Sequence, residues 1–170
     1  VDFEVESIVE PNLRMQDRGG VIALGKEMGL FANRNNAASR RLSERSGQID
    51  ELIETLKTHP RGTPELLSDA MKLKHRLEAF DRKLSGDRAK SSRWVMAEPG
   101  ISQRLQRAFY GTIGGTHGPT KTTLEQYEIA KEQWSEIEDD LYGLLGDEIE
   151  AFEKAVDDAG IPWTSGRDLP

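Results

Sequence analysis

Apolar residues recur along this chain at alternating steps of three and four in three separate stretches. The first runs through Val21, Leu24, Met28, Phe31, Asn35, Ala38, Leu42, Arg45, Ile49, Leu52 and Leu56, with Asn35 and Arg45 as its polar members. A second holds Leu66, Ala70, Leu73, Leu77, Phe80 and Leu84. The third begins with Tyr127, Ala130, Trp134, Ile137 and Leu141 and continues after a change of phase with Leu145, Ile149, Phe152, Val156 and Ala159. This spacing puts one stripe along each helix, and helices so striped bury it by packing lengthwise on one another.

The punctuation between stripes sets the elements. Pro11 suits a first helical turn, and the spacing predicts one long helix from about residue 12 to residue 58. Its interior glycines cost roughly 1 kcal/mol each against alanine. Gly25 and Gly29, one turn apart, are expected to admit a neighbouring helix, with a hinge or ligand notch as the rival reading. His59-Pro60-Arg61-Gly62 ends that helix, and Thr63 before Pro64 caps a second reaching about Leu84. Residues 88 to 100 read as an irregular crossover. Ile101, Leu105, Ala108 and Phe109 predict a short amphipathic helix that fails at Gly111. The third long helix starts at Thr120, or at Thr122 paired with Glu125 in a capping box. It closes on Ala159, Gly160 as the left-handed residue, Ile161 folding back, and Pro162. Ile137, Leu141, Leu145 and Ile149 step by four three times, a stutter expected to relax the supercoil there. Before all this, Val1, Phe3 and Val5 alternate with Asp2, Glu4 and Glu6 as in a half-buried strand.

The fold class expected is therefore all-α: an elongated antiparallel three-helix bundle with an added short helix and a short N-terminal strand remnant. Residues 1–9 would be the remnant of a preceding domain, 10–163 the bundle and 164–170 a tail. A length of 170 residues suits one domain with its own core. The charged share of 31% against 36% hydrophobic fits long helices exposing polar flanks. Charge is divided along the chain, with 14 acidic and 4 basic residues from 120 onward and 16 acidic and 19 basic before it. The third helix should thus lie against the basic flanks of the others. An absence of cysteine removes disulfides, thiolate nucleophiles and sulfur ligands.

Candidate chemistry is thin. Gly115 to Thr122 approximates a phosphate-binding loop, but Thr120 replaces the second glycine and no hydrophobic strand precedes it, so a helix-to-helix loop is expected. Glu136, Glu138, Asp139, Asp140, Asp147, Glu148, Glu150, Glu153, Asp157 and Asp158 crowd one helix. Glycoside cleavage needs two carboxylates facing across a cleft, and a solvated helix flank is the simpler reading. His59, His75 and His117 lack metal-ligand spacing, and no cofactor or metal is expected. His117, in its glycine-rich loop, is a weak site candidate. Asn35 and Arg45 are the others, because a polar side chain on an apolar seam must find a partner, line an internal site or escape at the bundle edge. A net charge of −7, with no aromatic interleaving around Arg40, Arg41 and Arg45, argues against nucleic acid as a partner. With no run of eighteen apolar residues, a membrane is not expected as one either.

Gly114, Gly115, Gly118, Pro119, Thr120, Gln126 and Tyr127, then Leu141, Leu145 and the ending Ala159-Gly160-Ile161-Pro162-Trp163 with Gly166 and Arg167 carry a family pattern. It resembles the helical C-terminal region of bacterial proteins built on sortilin-like or BNR-repeat β-propellers, commonly labelled glycosyl hydrolases. The strand-like start and Asn33, Asn35 and Asn36 fit that region, in which a β-sandwich-like segment precedes the helices. Departures are Glu153 after Phe152, where Asn is common, and the lack of Asp-Pro after the strand valine. The propeller's Asp-box repeats, where any activity would reside, are absent, so the resemblance transfers no catalytic residue to these positions. It implies a non-catalytic accessory or interaction module of a larger exported protein, with the preceding domains as its partners. A glycosidase fragment and a self-assembling coiled-coil domain, partnered by further copies of itself, are the alternatives.

Overall fold

The computed structural model describes residues 18–87, 90, 92–93, 96–114 and 118–161, and among them every regular element is helical. The strand expected at 1–9 and the tail at 164–170 lie outside the described residues, as does His117. The helices are α1 (Arg18–Thr58), α2 (Pro64–Ser85), α3 (Ile101–Ile113), α4 (Lys121–Ser135), α5 (Glu138–Gly143) and α6 (Ile149–Asp158), with a π-helical turn at Leu144–Glu148 between α5 and α6.

Cross-helix pairs give the directions. Lys74 Nζ reaches Asp50 Oδ1 at 2.6 Å, so α2 folds back antiparallel on the second half of α1. Asn35 Nδ2 donates to Ser102 Oγ at 2.7 Å and Thr112 Oγ1 lies 3.4 Å from Met28 Sδ, so α3 runs antiparallel along the first half. Tyr127 pairs with Glu27, Glu138 with Arg34 and Glu153 with Arg45, so α4 to α6 run parallel to α1 over its length.

The added short helix lies end to end with α2 along α1. It is the second half of rod two. Gly86 leaves α2 at φ 84° and Gly100 enters α3 beside it; a Cβ on Gly100 would stand 2.4 Å from the Gly86 nitrogen. The chain thus leaves α2 and enters α3 at neighbouring points, and α2 and α3 follow one another along the same line. At 1.5 Å per residue, the 41 residues of α1 span about 60 Å and the 22 and 13 of α2 and α3 together about 53 Å, so the rods match in length.

Local chemistry explains the boundaries. Thr63 Oγ1 accepts from the Leu66 amide at 3.3 Å, with Pro64 at the first helical position where no amide is needed. Thr120, not Thr122, caps α4, its Oγ1 accepting from the Thr123 amide at 3.2 Å. Gly160 is left-handed at φ 69°, its N–H bonding Asp157 O and that of Ile161 bonding Val156 O, which buries Ile161. One boundary differs from expectation: α3 runs through Gly111 to Ile113. A Cβ on Gly111 would lie 2.7 Å from Thr123 Oγ1, so this glycine lets α4 approach and does not end the helix.

The core is one continuous cluster from Met28 and Ala108 at one end to Leu56 and Ile161 at the other. Each fully buried Leu, Ile or Met contributes about 2 kcal/mol by transfer from water, which outweighs the interior glycines of α1. The phase change in rod three coincides with the π turn. Leu141, Leu145 and Ile149 are spaced four and four where a heptad needs three and four, one residue too many. The π turn at Leu144–Glu148 holds that extra residue and leaves Leu141, Leu144, Leu145 and Ile149 all fully buried.

Candidate functional site

Each polar residue singled out on the seam has a definite place. Asn35 is inside, 1% exposed, with its amide nitrogen on Ser102 and its Oδ1 without a hydrogen-bond partner. Arg45 is at the edge between α1 and α6, where Nη1 donates to Gln48 Oε1 at 2.9 Å and Glu153 Oε1 at 3.1 Å. These two residues are ten positions apart on α1 and share no partner, so the structure does not bring them into one site.

The acidic flank of rod three meets basic flanks as the charge division predicts. Arg34 pairs with Glu138, Arg45 with Glu153 and Arg76 with Glu148, three contacts that tie α1 and α2 to α5, the π turn and α6. Glu138 and Glu153 are the most sheltered carboxylates in these three contacts, with side chains 23% and 20% exposed, and each is taken up by an arginine. The loop that approximates a phosphate-binding motif leaves a helix, α3, and enters another, α4. Such a phosphate cradle needs a strand before its loop. His59 Nδ1 accepts the Arg61 amide in the α1–α2 turn, and His75 faces Glu78 on the surface at 3.7 Å. Among the described residues no three His, Cys, Asp or Glu gather as a metal site, and no helix is long and apolar enough to cross a membrane.

Among the described residues Tyr127 is the buried titratable group with a strong perturbation. Burial, then its 2.7 Å hydrogen bond to Glu27 Oε1, pushes its hydroxyl well above the usual tyrosine range. Phe31 meets it edge-on at 6.2 Å and also meets Trp134 at 5.6 Å, so this is a packed aromatic corner between α1 and α4.

The surface feature that seam reading misses is at the end where α1 begins. Ile22, Leu30, Tyr110, Ile113 and Leu124 are five of the eight large apolar side chains left exposed among the described residues. They share this end because Gly25 faces Ile113 and Gly111 faces Thr123. Tyr110 is 62% and Ile113 51% exposed, the first just before and the second just beyond the glycine at which the sequence predicts α3 to stop. Ile22 and Leu30 carried one signal, large apolar residues off the seam of a helix that has its apolar face already filled.

Gly25 sits in the groove between α1 and α3, where a Cβ would come 3.3 Å from Ile113 Cγ2, and Gly29 lies beside Phe109. That supports their reading as residues of close approach. Comparison with family models, with curated proteins and with solved structures finds no match for this chain.

Proposed function

We propose that this bundle is a non-catalytic interaction module of a larger exported propeller-type protein, and that it docks against the domains preceding it through the end at which α1 begins. The observation that carries the reading is that Ile22, Leu30, Tyr110, Ile113 and Leu124 are exposed toward that end, while elsewhere the exposed large apolar side chains among the described residues are only Met71, Met96 and Tyr142, amid charged flanks with ion pairs between rods. Exposed apolar side chains concentrated at one end of a mostly polar particle are what a contact surface supplies. Covalent continuity names the occupant: whatever is joined ahead of α1 is held at high effective concentration beside this end and needs little intrinsic affinity to stay there. The family resemblance supplies the larger protein and its export.

Hydrogen exchange on the product of the complete reading frame, compared with the 170-residue chain, tests this. Amides of residues 19–33 and 106–126 are expected to exchange at least about tenfold more slowly in the longer product. Equal exchange in the two overturns the proposal. So does a concentration series in light scattering that shows the isolated chain pairing through these residues, which would favour self-assembly.

A further inference from the structure

Interruptions in two rods and a polar intrusion from the third fall in one transverse plane. Rod two is broken there, between Ser85 and Ile101. Rod three breaks between α4 and α5, where Ile137 takes φ −114° and ψ −15°, its N–H reaching back only to Trp134 O, and no side chain caps α5. Rod one stays helical but contributes a stretch of low helix propensity, with Asn33, Asn35 and Asn36 among four consecutive residues. Asn35 touches Ser102, Arg34 pairs with Glu138, and Gly100, Ile101, Glu136 and Ile137 line one groove of about 600 Å³, which puts all three places at the same height.

Side-chain chemistry marks the same plane. Among the described residues five buried side-chain polar atoms have no hydrogen-bond partner: Asn35 Oδ1, Ser39 Oγ, Arg104 Nε, Gln133 Oε1 and Trp134 Nε1. All belong to this level, from α1, α3 and α4. A buried polar atom left unpaired is costly, and a packed apolar layer would remove that cost. Above and below, the core is apolar or satisfied: Met28, Ala108 and Tyr127 on one side, with Thr112 Oγ1 bonded to Ala108 O, and Leu42, Leu77 and Leu141 on the other.

We propose that this plane is a built-in joint, at which water reaches the unpaired groups and the half carrying the exposed apolar end pivots against the half formed by α2, α6 and the end of α1. Opening is favoured here because hydration satisfies polar atoms that the closed state leaves unpaired, and because only α1 runs through the plane as continuous helix. Each half keeps its own apolar layers when the joint opens. The proposal stands independently of what the apolar end binds.

The absence of native cysteine allows labels to be placed in pairs. Spin labels at exposed Lys26 and Glu51 on α1, and at Glu125 and Glu150 on rod three, report across the joint. Lys26 with Glu125 reports within one half. The across-joint distance distributions are expected to be about twice as wide as the within-half one, and amides 135–140 to exchange about tenfold faster than amides 127–131. Asn35→Leu combined with Ser102→Ala makes the plane apolar and is expected to narrow the across-joint distributions. Equal widths in the wild-type chain, together with equal exchange in the two segments, overturn the joint. That comparison needs no variant, so it decides the matter even if the double substitution fails to fold.

Discussion

Deleting Gly146 removes one residue from the π turn, and the seam then falls into strict heptads. Tyr127, Ala130, Trp134, Ile137, Leu141 and Leu144 are followed by Ile149, Phe152, Val156 and Ala159 one position earlier, giving steps of three and four throughout. Because each α-helical residue turns the chain by about 100°, the π turn already returns α6 to the facing it would have without the extra residue. The deletion therefore leaves Ile149, Phe152 and Val156 on the core. Leu145, now fully buried, moves toward the flank at a cost of up to about 2 kcal/mol, offset by about 1 kcal/mol from removing a helical glycine. Deleting Glu132 from α4 is the control. No π turn is there to be removed, and the nearest place that can absorb the loss is the break at Ile137, so residues 133–136 rotate and lift Trp134 from the core, at about 3 kcal/mol. Urea unfolding followed by circular dichroism measures both. A Gly146 deletion that loses as much stability as the Glu132 deletion refutes the reading of the π turn as an absorbed insertion.

Gly100→Ala drives a methyl into the Gly86 nitrogen and the Leu84 carbonyl, which are backbone atoms that cannot swing away, and should cost about 2–3 kcal/mol, read as a lowered Tm in calorimetry. Tyr127 holds its proton above the unfolded-state pKa near 10, so its contribution is complete below that pH and is lost as the pH rises further. Alkaline unfolding curves of the wild type should accordingly fall more steeply with pH than those of Tyr127→Phe; parallel curves would deny the coupling. Arg76→Ala should change stability by less than about 1 kcal/mol, because Arg76 and Glu148 are both half-exposed and screened by water and salt. A larger loss in urea titration would make that pair more than a guide to register.

The sequence carries the bundle because its information is periodic and local. Thr63 with Pro64, and Gly160 with Ile161, are caps whose physics acts within four residues, and each sits where the chain signals it. The seams identify what is buried for the same reason. What resists reading is anything decided by a partner far along the chain. Ser102 is 67 positions from Asn35, so the sequence shows a polar seam residue without showing what it binds. Gly111 looks like a terminator until Thr123 is placed against it. Ile137 keeps perfect seam spacing across a real break, because a side chain's facing survives a turn that the backbone hydrogen bonds do not. The collinearity of α2 and α3 depends on Gly86 meeting Gly100 fourteen positions on, which no periodicity encodes. The apolar end is similar: Ile113 joins Tyr110 on the surface of α3 only once that helix is known to continue past Gly111 and α1 to lie beside it.

Both the docking end and the joint require that α2 and α3 form one rod against α1. Spin labels at exposed Met71 on α2 and Gln106 on α3 measure this in a single distance. Rise per residue along two stacked helices places the labels about 35 Å apart. A mean distance below about 20 Å, as for helices lying side by side at the usual packing separation, would contradict the three-rod architecture.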